Sequence, residues 1–139
     1  MLELHKLTKF KFNNKIQKIS FIETLSIAIG VECDVFIFEN DSSKDLGIIR
    51  IEANSKTPLQ KVLKGDKTIE GYISGKGILS VTKSNNIVKK YIVDNTKSKD
   101  FFINIEIGEK MQWKSAKDSP LVVFEICYPP YKDGRFKNI

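Results

Sequence analysis

The stretch TPLQKVLKGDKTIEGYISGKG, from Thr57 to Gly77, decides how the chain is expected to fold. It contains a short apolar strand, a turn at residues 64–66, and a second strand from Ile69 to Ser74 that runs into the turn Gly75-Lys76-Gly77. Another apolar strand, Ile78 to Lys83, follows directly. The last two strands are therefore predicted to form a hairpin, and the stretch as a whole predicts closely spaced antiparallel strands.

Similar short strand patterns continue on both sides of this stretch. Turn signals occur at residues 40–43 and at Ser84-Asn85-Asn86, and the polar segment 94–100 is predicted to be a loop. The apolar segment Phe21 to Ile29 suits either a short helix or a strand. The other predicted strands are Val31–Glu39, Gly47–Ala53, Ile87–Val93, Phe101–Ile107, Met111–Trp113 and Leu121–Tyr128. About seven to ten short strands at such spacing predict an all-β sandwich or barrel.

The bulk composition is that of one ordinary globular domain. The chain has 139 residues, of which 41% are hydrophobic and 29% charged, and a single domain of residues 1–139 is expected. No window approaches the roughly 20 apolar residues of a membrane span. The N-terminus, MLELHKLTKFKFNNK, lacks the apolar core of a signal peptide. We therefore expect a cytoplasmic protein with no membrane partner.

The chain is basic, with a net charge of +6 and a pI near 9.2. Its lysines are spread along the whole length, and its only arginines are Arg50 and Arg135. Proteins that read nucleic-acid sequence usually rely on arginine for two-pronged contacts to bases. The charge therefore predicts a solvated lysine-rich surface and no nucleic-acid partner, with a mild preference for anionic small molecules.

The two cysteines, Cys33 and Cys127, each lie inside an apolar run, VECDVFIF and VVFEICY. Such positions predict two buried, reduced thiols. A disulfide between neighbouring strands is the alternative. A catalytic thiol would need a nearby base, and the single histidine of the chain, His5, is the only imidazole that could serve.

The order of these features resembles the cupin superfamily. Its first motif is a strand with Pro-X-His-X-His, followed by a strand that bears a Glu and by a glycine turn, and Thr57–Gly77 is similar to it. Its second motif ends on an apolar strand with Pro-Pro, as does Phe101–Pro130. The resemblance covers roughly Asp34 to Pro130, and EGYISGKGILSV and VVFEICYPPY are its most specific parts.

This resemblance implies an all-β, cupin-like double-stranded β-helix, also described as a jelly-roll barrel. The core barrel is expected at residues 45–130 and a C-terminal tail at 131–139. Cupin-like barrels often pair through their N-terminal strands, so residues 1–40 are expected to contribute to the interface of a homodimer. The apolar segments Phe21–Ile29 and Val31–Phe38 would supply its contact face.

The histidines of the family's metal site are missing from the matching positions. Gln60 and Val62 stand where the first motif has its two histidines, and Met111 stands at the last one. Thr68 is the best match to the metal-binding Glu, with Glu70 as the alternative if the register differs by two. Hard and borderline divalent cations need several oxygen or imidazole ligands that converge on one point. The sequence therefore predicts no metal and no other cofactor.

Function would then depend on other side chains that line the barrel. By the period of two, Thr68, Glu70, Tyr72 and Ser74 share one face of their strand. Glu125 lies inside an apolar strand, where a lone carboxylate is costly unless it meets solvent or a partner. Each candidate also has a structural alternative. Glu125 could form a surface or edge salt bridge, Tyr72 and Trp113 could pack in the core or at a subunit interface, and Gln60 could hydrogen-bond to backbone groups. The predicted ligand-binding residues are Gln60, Thr68, Glu70, Tyr72, Met111, Trp113 and Glu125.

Three functions are compatible with such a barrel. The first is metal-free binding of a small molecule, either anionic or derived from a sugar. The second is a metal-independent isomerase, epimerase or lyase that uses Glu70, Tyr72 and Glu125 as acid and base groups. The third is an interaction or scaffold protein whose barrel is filled by Tyr72, Met111 and Trp113. A cavity in the barrel, or its absence, distinguishes the first two functions from the third.

Overall fold

The chain folds almost entirely into β-strands. The computed structural model describes residues 6–131 and 134–139, and there the backbone forms no α-helix. The predicted all-β class is therefore confirmed, and Phe21–Ile29 lies mostly in a strand. No helix of the described residues is long and apolar enough to cross a membrane. The strands are β1 (Lys9–Phe12), β2 (Lys15–Ala28), β3 (Val31–Phe38), β4 (Asp41–Ile51), β5 (Gln60–Val62), β6 (Lys67–Gly75), β7 (Gly77–Thr82), β8 (Val88–Val93), β9 (Phe102–Ile105), β10 (Lys110–Ser115), β11 (Leu121–Tyr128) and β12 (Phe136–Asn138).

These strands form two antiparallel sheets with an apolar core between them. One sheet has seven strands in the order β1-β2-β3-β4-β11-β6-β9, and the other has five in the order β12-β5-β10-β7-β8. Several neighbours are far apart in sequence, since β11 lies between β4 and β6, and β10 lies between β5 and β7. This interleaved order is that of a curled jelly-roll barrel.

The side chains between the sheets follow the period of two that strands impose. On β7, Gly77, Leu79 and Val81 are buried, and the residues between them are half-exposed. Trp113, on β10, is only 2% exposed and lies among these residues. This inner core consists of Val31, Ile51, Val62, Tyr72, Leu79, Val81, Val93, Ile105, Met111, Trp113, Leu121 and Val123.

A second apolar layer covers the outer face of the seven-stranded sheet. There β1 packs its aromatic side chains on other strands of the same sheet. The ring centroids of Phe10 and Phe124 are 5.0 Å apart, and those of Phe12 and Phe102 are 4.7 Å apart. The N-terminal hairpin therefore belongs to the packed body of the domain.

Two sequence predictions about connections were wrong. The strands on either side of Gly75-Lys76-Gly77 do not form a hairpin, because β6 lies in the seven-stranded sheet and β7 in the other. The segment 40–43 is not a turn, since the turn occupies residues 39–40 and β4 begins at Asp41. The two sheets also include strands outside the predicted core of residues 45–130, namely β1, β2, β3 and β12. The predicted turn at Ser84-Asn85-Asn86 is confirmed, since it joins β7 to its partner β8.

A β-bulge in β6 changes which of its side chains share a face. Tyr72 pairs with Val123 and Ser74 pairs with Val122, which leaves Ile73 as the extra residue. The prediction that Ser74 shares the face of Tyr72 was therefore wrong, and Ser74 is exposed. Because a bulge inserts one residue, every position after it moves to the opposite face.

The C-terminal tail is attached to the barrel by β12, which pairs with β5. Phe136 packs against the inner core, whereas Ile139 is 58% exposed. Arg135 is only 3% exposed, and its guanidinium donates to the carbonyl oxygens of Lys67, Tyr128 and Pro129 and to Thr68 Oγ1. The tail is therefore a structural element of the domain.

Candidate functional site

Two carboxyl side chains lie side by side in the middle of the barrel. Glu70 on β6 and Glu125 on β11 are direct partners in the antiparallel register. Residues directly opposite each other in such a pair have Cβ atoms only about 4.5–5.5 Å apart. Glu70 is 1% exposed, and Glu125 is half-buried. Like charges in this position repel, so the pair is stable only if it holds a proton or meets a polar partner.

Trp113 on β10 connects this pair to the opposite sheet. Its indole Nε1 donates a hydrogen bond of 2.7 Å to Glu70 Oε1, and both groups are buried. The strand that carries Trp113 is fixed by Thr57, whose Oγ1 accepts a 3.0 Å hydrogen bond from the backbone N–H of Trp113. The indole therefore holds one carboxyl oxygen of Glu70 in a defined position.

The other oxygen of Glu70 has no such donor. Oε2 is buried, and apart from the proton of the carboxyl pair it has no hydrogen-bond donor among the described residues. Burial raises the pKa of Glu70 well above its ordinary value of 4.5, and the neighbouring Glu125 raises it further by its charge and by a hydrogen bond that requires one of the two carboxyls to be protonated. The Trp113 hydrogen bond acts in the opposite direction on this pKa but is the weaker influence. Glu70 therefore keeps its proton to higher pH than an ordinary glutamate does.

A small cavity of about 30 Å³ adjoins the two carboxyls. This is room for roughly one or two water molecules. Four of its lining residues, Ile27, Gln60, Ile49 and Glu125, retain some exposure to solvent, so the cavity opens on their side. No lysine or arginine lines it. The lining residues are Ile27, Ile49, Thr57, Gln60, Glu70, Met111, Trp113 and Glu125.

Both thiols lie close to this site without being reactive. Cys127 Sγ lies 3.4 Å from Glu125 Oε1, and Cys33 lies beside Gly47, where a Cβ atom would come within 2.9 Å of its Sγ. Burial, with a smaller contribution from Glu125, raises the pKa of Cys33 to about 12, and burial raises that of Cys127 even further. Both are free cysteines and stay protonated near neutral pH, which excludes a thiolate nucleophile.

Five of the seven predicted site residues surround the cavity, namely Gln60, Glu70, Met111, Trp113 and Glu125. The other two point elsewhere. Thr68 accepts a hydrogen bond from Arg135, and the Tyr72 hydroxyl donates to Gly75 O at 2.7 Å and lies 2.8 Å from Asn95 Oδ1. Of the two candidates for the family's Glu position, the cavity contains Glu70 and not Thr68. Sequence reasoning missed Thr57, Ile27 and Ile49, whose placement depends on pairing between distant strands.

The donor atoms around the cavity do not fit a metal ion. Across residues 6–131 and 134–139, no group of three or more His, Cys, Asp or Glu side chains is placed to hold one. The Trp113 N–H also occupies Glu70 Oε1, an oxygen that a cation would need. Gln60 and Met111 are neighbours in the β5–β10 register, but an amide and a thioether add only weak ligands. His5 lies outside the described residues.

The pKa of Glu70 can be measured through the single tryptophan of the chain. We expect the indole Nε1–H resonance of Trp113 to shift with an apparent pKa well above 4.5, because ionisation of Glu70 strengthens the hydrogen bond it accepts. Stability should fall as pH rises from about 4.5 through the folded-state pKa, because the folded protein keeps a proton that the unfolded chain releases; each pKa unit corresponds to about 1.4 kcal/mol.

Two-dimensional NMR across pH 3–9 and urea unfolding at the same pH values would test this expectation. The Glu70→Gln variant should abolish both the indole shift and the loss of stability. The exposed Glu106 offers a matched control, since Glu106→Gln should change neither. An indole transition at or below pH 4.5 would contradict the buried carboxyl pair.

No protein-family model matches this sequence, and no curated protein sequence matches it significantly. Solved structures do match the fold. A uridine-bound variant of Streptomyces PAC13 superposes with a TM-score of 0.60 at 10% identity, covering 84% of this chain and 83% of that one. A mutant of Bacillus subtilis oxalate decarboxylase superposes with a TM-score of 0.69 at 15% identity, covering 85% of this chain but only 30% of that one. At such identities these likenesses show the fold alone, and they confirm the predicted barrel.

Proposed function

The chain has the cupin fold, and we propose that it binds a small, neutral, hydroxyl-bearing molecule at the Glu70–Glu125 carboxyl pair without a metal. The observation that carries this proposal is the arrangement of the pair beside the cavity, where Glu70 Oε2 has no hydrogen-bond donor among the described residues apart from the proton of the pair itself. The proton that the two carboxyls share lies in their own hydrogen bond, so the pair presents its remaining oxygen lone pairs as acceptors. A hydroxyl group is a complementary partner, because it donates a hydrogen bond without carrying a charge.

Charge and size narrow the ligand further. The cavity is lined by two carboxyls and no lysine or arginine, which favours a neutral, sugar-derived ligand over an anionic one. Its volume of about 30 Å³ admits one polar group rather than a whole molecule. The rest of the ligand would lie at the opening beside Ile27 and Gln60. The PAC13 neighbour was solved with uridine, a neutral nucleoside with hydroxyl groups, so uridine is a suitable first probe.

The experiment is a titration of the labelled protein with uridine, ribose and oxalate, followed through the Trp113 indole resonance. Uridine or ribose should shift this resonance in a saturable way, and oxalate should not. Glu125→Gln preserves shape but removes an acceptor, and we expect it to weaken binding about tenfold, as for one lost hydrogen bond to a charged group. The exposed Glu106→Gln variant is the control. Binding of oxalate in preference to both hydroxyl compounds would refute the proposal.

A second candidate function is proton transfer on the bound molecule. The raised pKa of Glu70 beside a second carboxyl favours it, because a carboxyl group that keeps its proton to higher pH than usual can act as a general acid. The Tyr72 hydroxyl is hydrogen-bonded to Gly75 O away from the cavity, so no catalytic role is assigned to it. An enzyme would exchange a carbon-bound hydrogen of the ligand with deuterium in D₂O. In that case Glu125→Gln would abolish exchange more strongly than it weakens binding.

The filled-barrel alternative explains part of the interior. Tyr72, Met111 and Trp113 are all buried in the inner core, and they leave little space. It does not explain why two carboxyls are kept there, because an apolar pair would avoid the cost of their burial. The variant Glu70→Leu separates the alternatives. A pure scaffold would gain stability from it and lose nothing else, whereas a binding barrel would also lose the uridine or ribose response.

We further propose that the protein is a homodimer that pairs through β2. Beyond its contact with β1 at residues 15–18, the outer edge of β2 has no strand partner among the described residues. Apolar side chains on this strand are open to solvent, with Ile22 50%, Leu25 39% and Ile27 38% exposed. An exposed apolar edge is a template for pairing with a second chain. Ile27 also borders the cavity, so a dimer would change its opening.

Light scattering coupled to size-exclusion chromatography tests this assembly. The wild-type protein should have twice the monomer mass at micromolar concentration. Leu25→Glu should give a folded monomer, because a carboxylate cannot be buried there without a partner. Ile92→Glu is the matched control, since Ile92 is also exposed, at 77%, but lies on β8 in the other sheet. A wild-type monomer, or equal effects of the two variants, would exclude pairing through β2.

A further inference from the structure

A second, larger concavity lies on the opposite side of the seven-stranded sheet from the carboxyl pair. Its volume is about 610 Å³, within the usual range of about 300–1,000 Å³ for ligand sites. The N-terminal hairpin forms one wall, from Leu7 to Asn14, and the loop before β9 forms the other, at Asn95 and residues 99–100. We refer to this space as the hairpin groove. It shares no lining residue with the carboxyl cavity.

The floor of the hairpin groove is aromatic. Phe12 and Phe102 are half-buried neighbours whose ring centroids are 4.7 Å apart, and Phe124 lies 5.8 Å from Phe12. Partly exposed rings of this kind offer a face on which a planar ligand can stack. The groove therefore suits an aromatic group and not only a flexible chain.

The rim of the groove is positive. Lys9, Lys11 and Lys99 line it, and Asp100 is the one acidic residue among its lining. All three lysines are exposed, and none forms an ion pair with a carboxylate of the described residues. Lys9 and Lys11 come from β1, whereas Lys99 comes from the facing loop. Positive charge from both walls of one groove favours an anionic ligand.

One amide on the wall is fixed with its donor available. Asn95 Oδ1 accepts a 3.1 Å hydrogen bond from the backbone N–H of Gly75 and lies 2.8 Å from the Tyr72 hydroxyl. The bond from Gly75 determines the orientation of the amide, because only its oxygen can accept it. The amide NH₂ is left without an acceptor in the described part of the chain, and it is available to an oxygen of a ligand.

We propose that the hairpin groove binds an aromatic anion of the nucleoside monophosphate class. The base would stack on Phe12 with Phe102 beside it, since the two rings are inclined by 58° and cannot both face one planar group. The phosphate would lie at the rim near Lys9, Lys11 and Lys99, and the Asn95 amide would donate to a sugar or base oxygen. The site does not depend on the proposed function of the carboxyl pair. It requires neither Glu70 nor Glu125, and its ligand has the charge that the carboxyl cavity disfavours.

The test uses the intact protein and AMP as the probe, by isothermal titration calorimetry at low salt. The comparison ligands are inorganic phosphate and adenine, which lacks the hydroxyl groups that the carboxyl pair is proposed to bind. AMP should bind at least tenfold more tightly than either comparison ligand, since each supplies only one of the two contacts. Lys11→Gln and Lys99→Gln should each weaken AMP binding about threefold to tenfold, as for one lost charge-assisted contact at a partly exposed site. Phe12→Leu should weaken it by a similar factor.

Two control variants test whether AMP binding depends on the hairpin groove. Lys89→Gln removes another exposed lysine, on β8 and outside the groove, and should leave AMP binding unchanged. Glu125→Gln should also leave it unchanged, which separates this site from the carboxyl pair. The proposal is overturned if AMP does not bind at millimolar concentration, if phosphate binds as well as AMP does, or if Lys89→Gln acts as strongly as Lys99→Gln.

Discussion

Gly75→Ala should destabilise the protein by about 3–5 kcal/mol, because the new methyl group has no space and the backbone conformation does not suit it. Gly75 has a φ of +92°, and a Cβ atom there would lie 2.0 Å from the carbonyl oxygen of Pro120 and 2.9 Å from Leu121 Cα. Both contacts are with backbone, so no side chain can rotate away. Gly75 is also the point at which the chain leaves one sheet for the other, between β6 and β7.

Gly108 provides a matched control for this substitution. Its φ of +91° is nearly the same, but nothing lies within 4 Å of the position its Cβ atom would take. Gly108→Ala should therefore cost only about 1–2 kcal/mol of backbone strain. Urea unfolding followed by the fluorescence of the buried Trp113 measures both variants. Equal losses would show that the close approach to Pro120 contributes nothing beyond the backbone conformation.

Arg135→Met should cost about 3 kcal/mol, because it leaves several buried acceptors without their charged donor. The Arg135 guanidinium donates to Lys67 O at 2.6 Å, to Thr68 Oγ1 at 2.8 Å and to Pro129 O at 2.9 Å. A lysine cannot replace this planar fork, so Arg135→Lys should recover little of the loss. The same unfolding measurement reports it, and a melting temperature lower by roughly 10 °C is expected for a domain of this size.

The exposed Lys137 lies in the same strand, and Lys137→Met should leave stability within about 0.5 kcal/mol of the wild type. Gly65→Ala should act like Arg135→Met, since a Cβ atom there would lie 2.5 Å from the Arg135 guanidinium carbon. Arg135→Met could prove as stable as the Lys137→Met control. That result would mean that the hydrogen bonds of Arg135 only offset the cost of burying its charge without a carboxylate partner.

The sequence predicted the class of fold and most of its strands, because those depend on local alternation and turn residues. Leu121–Tyr128 is a strand with the predicted bounds, and the alternating segment Phe101–Ile107 contains β9. The prediction of a hairpin across Gly75 was wrong, because the local sequence pattern does not determine which sheet a strand joins. The turn GKG reads as a hairpin turn, but here it carries the chain from one sheet to the other.

The candidate site was predictable only in part, for a related reason. Glu125 was noticeable as a carboxylate inside an apolar strand. The family resemblance favoured Thr68 and named Glu70 only as the alternative. The pairing of Glu70 with Glu125 depends on a register between strands that are more than forty residues apart, which no local pattern specifies. Tyr72 lies on the inner face of β6, as predicted. Its hydroxyl nevertheless contacts Gly75 O and Asn95 Oδ1 away from the cavity, and these contacts depend on the tertiary fold rather than on the local sequence pattern.

The position of β11 has a consequence for how the protein is made. Residues 121–128 are synthesised after ten of the other strands, yet they lie between β4 and β6 in the middle of the larger sheet. Until the ribosome has released them, the two flanking strands have unpaired edges and Glu70 lacks its partner. The domain cannot fold progressively from its N-terminus during translation. It must wait for nearly the whole chain, and in that interval its apolar edges are the surface that chaperones would have to protect.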